Sequence, residues 1–453
     1  MHVPNIFLAV LIPAVTRVDA VIEIKGYSAS HKTIDSNFAV DPNNPELLVN
    51  FGVGSNGPDA DGTATKITGI SALTFPFRSD EPTSVAGIHR GLVVDNGNAI
   101  MFAANVEVAA GGELVDVTFT DASKIEPVKE VTETDRWKKI TQNNTYGLDT
   151  EGLVYYNDSV YVSTECNALW ECPVSLDRTT VTDKCSPVGG DWTQSYCRGG
   201  AEALTMATSE SHFIVGMEKP AGDKNEDHKG PPGDPAFLRL TSLSASNPHE
   251  ATRTLAYPRG SELNMGLSEL ISLDSMGLHG GQLLSLERTY KKFTETDPGF
   301  AEVNNDDCDE RLPSMVRLNL ISTAGATDIS SCSVIDIGIP TCGGVDTVPV
   351  SKEVIFEWTE EKSLQGVKLD NYEGMALLTN PKRGEDDAIM VMMVSDDNGC
   401  PEQVGTQFVL ISLDATSVPI TKSKKGKKQK GNKAKNFLKK SKNQAKIGKR
   451  GKS

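Results

Sequence analysis

Short apolar runs, either alternating with polar residues or four to six residues unbroken, dominate the chain from Val21 to Ile420. Residues 92–94 with 99–103, 153–156 with 160–163, and 407–413 are examples. Gly, Asn-Gly, Asp-Gly and Pro punctuate them, which is how strands joined by tight turns read in sequence. Apolar residues at helical spacing are scarce, so the pattern predicts an all-β protein. Two stretches interrupt it as expected surface loops: residues 219–235, rich in Gly, Pro and charge, and residues 295–313, rich in Asp and Asn. From Thr421 onward the chain is Lys, Gly, Ser, Asn and Gln with almost nothing apolar, the composition of a disordered tail.

Four of the strand pairs share a pattern: a Glu opens one apolar run and an acidic residue closes the next. They run from Glu151 to Glu165, Glu202 to Glu218, Glu269 to Glu287, and Glu373 to Asp396-Asp397. A degenerate earlier copy starts at Gly69, with Ser71 in the Glu position and Asp95 closing it. In an antiparallel pair the start of the first strand and the end of the second lie at the same edge, so every copy brings two polar groups to one rim. The intervals between opening Glu residues are 51, 67 and 104 residues. A four-stranded propeller blade takes about 40–50 residues, so the body reads as a β-propeller of six or seven blades over residues 21–420. A β-sandwich with a second domain fits less well, because no linker-like segment divides that span.

Charge is divided unevenly. The last 33 residues hold 15 Lys or Arg and no acidic residue, leaving 30 basic against 61 acidic groups before them. An acidic body of net −31 repels polyanions and favours hard divalent cations held through oxygen. The basic tail does the opposite, and its expected partner is a polyanion or mineral surface. It lacks the aromatic interleaving of a nucleic-acid platform and the apolar face of a membrane helix. Residues 1–20 read as a signal peptide, with an apolar stretch at 6–15 and small residues before Val21; no other segment approaches the about 20 apolar residues of a membrane span. The expected product is secreted and monomeric. Its eight cysteines are even in number, and the four between Cys166 and Cys197 suggest two local disulfides of unfixed connectivity. Asn143 and Asn157 sit in glycosylation sequons.

The candidate chemistry lies on the acidic rim. Glu151, Glu202, Glu269, Glu373, Asp396 and Asp397 are the expected oxygen ligands of calcium, which takes six to eight such donors. Glu151 and Glu373, with Arg288 as an anion clamp, are the expected catalytic groups. Arg198, Arg259 and Lys219 are further clamp candidates. The structural alternative is that strand-end acids accept hydrogen bonds from backbone amides and hold blades together. Other nucleophile signals fail. The Cys172 to Arg178 spacing lacks the glycines and His of a phosphatase cradle, Gly266-Leu-Ser-Glu-Leu270 is not a hydrolase elbow, and the histidines are scattered.

Three segments resemble the phytase-like family, secreted propellers described by an esterase-like activity of phytase. They are Gly147 to Val154 with Val160 to Glu165, Gly266 to Arg288 with its Leu-Glu-Arg ending, and Asn371-Tyr-Glu-Gly-Met-Ala with Val394-Ser-Asp-Asp-Asn398. The likeness runs from about Gly69 to Leu413 and implies a propeller hydrolase acting on phosphorylated small molecules. Alternatives on the same scaffold are a calcium-dependent lactonase or esterase, and a non-catalytic extracellular binding protein anchored by its basic tail.

Overall fold

Strand after strand is built as the apolar pattern requires. The computed structural model describes residues 20–34, 38–41, 44–50, 65–66, 69–76, 87–95, 99–128, 150–164, 168–189, 201–207, 211–218, 237–260, 262, 265–274, 281–289, 314–332, 341–342, 345–359, 361–362, 364, 367, 369–378, 388–396 and 406–419. Residues 1–19 of the expected signal segment, the basic tail, the two charged inserts, Asn143, Cys166 and Cys197 lie outside them.

In chain order, β1 (Ala20–Ile34) is followed by a small sheet of β2 (Phe38–Asp41), β3 (Asn44–Asn50) and β4 (Thr65–Lys66). The first blade is β5 (Ile70–Thr74), β6 (Gly87–Asp95), β7 (Ile100–Val108) and β8 (Leu114–Lys124). The second is β9 (Thr150–Tyr156), β10 (Ser159–Thr164), β11 (Ala168–Pro173) and β12 (Ser186–Gly189). The third is β13 (Ala201–Ala207), β14 (His212–Met217), β15 (Phe237–Ser244) and β16 (Asn247–Pro258). In the fourth, β17 (Met265–Ser272), β18 (Gln282–Thr289) and β19 (Met315–Ser322) are followed by the hairpin β20 (Thr341–Cys342) and β21 (Val345–Asp346), and β22 (Ser351–Thr359) returns as the outer strand. The fifth is β23 (Tyr372–Leu377), β24 (Ile389–Ser395) and β25 (Thr406–Pro419), completed at its outer edge by β1.

The ring closes at five blades, not six or seven. The first strand of each blade packs on the first strand of the next, in the order β5, β9, β13, β17, β23 and back to β5. Five apolar clusters occupy the five junctions. Val162 and Trp170 meet Leu92 and Met101 between blades one and two, and Phe213 meets Tyr161 between two and three. Leu238 meets Leu267 between three and four, Leu286 meets Val391 between four and five, and Phe408 meets Phe102 between five and one. Two features of the chain explain the lower number. The interval of 104 residues after Glu269 carries the long β19–β22 connection with its own hairpin rather than another blade. The N-terminal segment supplies one closing strand and a side sheet, so the last blade is built from both ends of the body.

Position in the ring dictates composition. Inner strands β5, β13, β17 and β23 are buried along their whole length, since both faces pack on neighbouring blades. Peripheral β8 and β22 carry only a few buried positions among half-buried and exposed ones. Asn157 and Asp158, with φ of 49° and 60°, form the two-residue turn joining β9 to β10, a left-handed pair that suits the twist of a hairpin. A disulfide joins Cys172 to Cys185, so the cysteine of the rejected phosphatase spacing is bonded and buried. Among the described residues no cysteine is free, and no helix is long and apolar enough to cross a membrane.

Candidate active site at the inner strand ends

A bulge opens each inner strand. On β5, Ile70 pairs with Asp95 and Ala72 with Val94, leaving Ser71 as the extra residue. On β13 the extra residue is Glu202, on β17 Ser268, and on β23 Glu373; on β9 the shift falls over Glu151 and Gly152. A bulge re-aims the side chain it adds, so these positions leave the ordinary alternation of the strand together. Ser71 therefore stands where the degenerate sequence copy places it. Glu269 does not match the other three Glu residues: it lies one position past the bulge, and Ser268 occupies their place. The serines link blades. Ser71 Oγ donates to the Thr150 carbonyl (2.7 Å) and Ser268 Oγ to the Tyr372 carbonyl (3.3 Å), the equivalent atoms of the following blades.

Glu373 lies at the centre of a buried charged cluster. Its Oε1 accepts from Arg288 Nη2 (2.6 Å) and from Asn371 Nδ2 (2.8 Å), while Arg288 Nη1 donates to Asn371 Oδ1 (2.7 Å). Asp396 hydrogen-bonds the Glu373 carboxyl, and its own backbone N–H donates to the Asn371 carbonyl (2.8 Å). Burial pushes the Glu373 carboxyl up from its usual range; Arg288, Asn371 and Asp396 pull it back, and the Glu218 carboxylate adds to the rise. The same contact recurs between blades. A residue at the end of the second strand of one blade packs on the residue two positions before the bulge of the next: Glu218 on Gly266, Arg288 on Asn371, Asp396 on Gly69. A Cβ at Gly266 would lie 2.9 Å from Glu218 Cγ, and one at Gly69 would overlap the Asp396 carboxylate. These glycines are therefore spaces made for acids.

The remaining expected residues take different places. Glu151 and Glu202 are buried at the starts of β9 and β13. Glu269 is fully buried, and its Oε1 accepts from the backbone amides of Leu204 (3.0 Å) and Leu270 (2.9 Å), binding β13 to β17. Glu287 accepts from Lys352 Nζ and Gly260 N through Oε1 and from Asn319 Nδ2 through Oε2. Beside it Arg317 forks across Glu262 and reaches Glu357 (2.6 Å), so the charged groups of this blade-four network are paired with one another. Arg259 is half-buried, lowered by burial and held against Glu287 rather than Glu373. Glu165, Asp397, Arg198 and Lys219 lie outside the described residues. Asn371 is the member of the cluster to which the sequence assigned no role. Its signal was its place two residues before a bulged Glu.

Burial raises the Glu269 carboxyl well above its usual range, against three backbone amides that lower it. A folded-state pKa above the unfolded one means that the folded chain binds the extra proton. The stabilisation is complete below about pH 4.5 and is lost as pH rises through the folded value. Glu269→Gln keeps an acceptor for Leu204 and Leu270 but removes the titration. The melting temperature of the wild type is expected to fall more steeply between pH 5 and 8 than that of the variant, and thermal unfolding of the two across that range checks it.

Calcium demands a shell of oxygens around one point. The donors of the rim are of the right hard type, but among the described residues no three or more acidic, His or Cys side chains converge on a common position, and Arg288 already neutralises Glu373. The described residues thus form no metal cage by themselves, and Asp397, a further expected donor, lies outside them.

A closed ring of five four-stranded antiparallel blades with charged groups buried at its inner strand ends defines a β-propeller with a candidate hydrolytic centre. The family model described as Phytase-like, esterase-like activity of phytase, matches residues 87–399, and the chain belongs to that family. No curated protein matches the chain. Solved structures similar to it include a DUF4221 family member from Bacteroides vulgatus, at 8% identity and TM-score 0.27, covering 89% of this chain and 100% of that one. Saccharomyces cerevisiae Sqt1 aligns at 8% identity and TM-score 0.29, over 88% of this chain and 71% of that chain. BamB from Moraxella catarrhalis aligns at 9% and 0.25, over 87% and 98%. Likenesses this distant carry no argument about what the chain does.

Proposed function

We propose that the protein is a phosphoesterase acting on phosphorylated small molecules at the Glu373 cluster. The supporting observation is the Glu373 carboxyl itself: buried, raised, hydrogen-bonded to a second carboxyl, and fixed at Oε1 by Arg288 and Asn371. With Oε1 so occupied, Oε2 is the oxygen proposed to take up a proton and pass it to the leaving oxygen of an ester. Arg288 supplies positive charge beside that oxygen, where phosphate charge develops. Glu151, at the equivalent end of β9, is the second carboxylate of the proposal. Calcium is the cation proposed for the rim, with Asp396 and the adjoining Asp397 as expected donors. When bound it would neutralise phosphate and lower the pKa of a water. Secretion is the proposed setting, since the Cys172–Cys185 bond persists in oxidising compartments.

Phosphate release from phytate and p-nitrophenyl phosphate, against acetate release from p-nitrophenyl acetate, tests this reading with added calcium and after chelation. Calcium-dependent phosphate release is the expected result. Turnover of the acetate alone would instead make the protein an esterase of the same family. Burial favours a second reading: Arg288 is only 2% exposed, as a blade clasp in a non-catalytic propeller would be. Failure of all three substrates, with calcium changing only the melting temperature, would establish that reading.

A further inference from the structure

On the opposite face of the ring a cavity of about 240 Å³ opens between blades three and four. It lies at the far ends of the inner strands, at Ala207 on β13 and at Ser272 and Asp274 at the close of β17. Glu202 starts β13 five residues earlier, so at about 3.3 Å per residue the two faces are roughly 17 Å apart along that strand. The cavity shares no residue with the Glu373 cluster, and the proposed phosphoesterase activity makes no use of it.

Its lining combines groups of opposite demand. Arg253 is oriented by a hydrogen bond from Nη2 to the Ala326 carbonyl (2.9 Å), which engages one of its five donors. Asp274 is a buried carboxylate, 7% exposed, and His212 stands with it on the wall. Thr252 Oγ1 donates to the Ser242 carbonyl (3.0 Å), so its remaining hydrogen-bonding capacity is as an acceptor. Leu255 and Leu283 supply an apolar side. A bare inorganic anion would meet Asp274 as well as Arg253, and a divalent cation would meet Arg253 as well as Asp274. A ligand suited to both carries one anionic group for the guanidinium, hydroxyls that donate to the carboxylate, and a C–H face for the leucines. The volume lies below the roughly 300–1,000 Å³ of pockets for drug-sized ligands, which limits it to about one ring.

We propose that this cavity binds a small hydroxylated anion, a monosaccharide bearing a single carboxylate or phosphate. Isothermal titration of the full chain with glucuronate, glucose 6-phosphate, glucose and inorganic phosphate tests it, with glucuronate against glucose 6-phosphate deciding which acidic group is taken. At least one of the two acidic sugars is expected to bind saturably, and glucose and phosphate at least tenfold more weakly. Ser242→Phe, which fills the cavity, and Arg253→Gln, which removes the cation, should each weaken that binding at least tenfold, whereas Glu373→Gln should leave it unchanged. Asp274→Asn should also weaken it, and serves where Ser242→Phe does not fold. No saturable heat with either acidic sugar would overturn the proposal. So would binding lost in Glu373→Gln but kept in the cavity variants, which would assign the ligand to the opposite rim.

Discussion

Arg288→Met is expected to cost the folded ring roughly 3–5 kcal/mol at neutral pH, the range found when one partner of a buried ion pair is removed. Arg288 is the fully buried cation bonded to both Glu373 and Asn371, and without it the Glu373 carboxylate keeps only hydrogen bonds from neutral Asn371 and with Asp396, beside the charge of Glu218. The effect should depend on pH in a defined direction. Loss of the guanidinium raises a carboxyl that burial has already raised, so the folded variant holds its proton more tightly than the unfolded chain. Stability is then retained at low pH and lost as pH rises through the folded value. Urea unfolding should show a larger deficit at pH 8 than at pH 5. Adding Glu373→Gln should restore much of it, because the buried charge that needed Arg288 is gone. An equal deficit at both pH values, unrelieved in the double variant, would mean that Arg288 acts through packing alone.

Gly152→Val is expected to prevent the ring from closing. A Cβ there would stand 2.6 Å from Leu204 Cβ, 2.6 Å from Ser163 Oγ and 2.8 Å from the Glu202 carbonyl oxygen, atoms of the neighbouring inner strand and of its own hairpin. Backbone cannot move aside as the end of a long side chain can, so the cost should exceed the about 1–3 kcal/mol of ordinary overpacking. Gly374 repeats the arrangement in blade five, with Ala72 Cα at 2.9 Å and the Ser71 carbonyl at 3.1 Å. The Glu-Gly pairs 151–152 and 373–374 thus join two requirements, a bulged acid and a residue small enough for the next blade to approach. Exposed Gly111 has nothing within 4 Å of its Cβ position and provides the control: Gly111→Ala should leave the melting temperature within a degree or two. Soluble yield and circular dichroism of the variants decide the matter.

Much of this architecture is readable from the chain because it depends on local pattern. Buried inner strands appear as apolar runs, and the breaks between them as Gly, Asn, Asp and Pro positions. The recurrence of an acid at strand starts located the rim, and Ser71 was recognisable as a worn copy. Blade number was not readable, because spacing alone does not separate an extra blade from the long connection between β19 and β22. Nor does it reveal that β1 closes the last blade from the other end of the chain. Glu269 illustrates a subtler limit. A bulge changes the count of residues on one strand without changing the apolar pattern, so a Glu one position away passes for an equivalent until the register is seen. The pairing of Arg288 with Glu373 and Asn371 joins residues of different blades, far apart in the sequence; the motif endings pointed to each residue but not to their contact.

The measurement that bears most directly on the phosphoesterase reading is kcat for phosphate-ester hydrolysis by the wild type and Glu373→Gln under identical conditions, with thermal unfolding recorded alongside. If Glu373 carries the proton, kcat should fall about 10²–10⁴-fold, the usual contribution of a positioned acid or base, in a variant that the unfolding record shows to be folded at the assay temperature. Undiminished turnover in a folded Glu373→Gln variant would contradict the account, and so would a wild type that releases no phosphate.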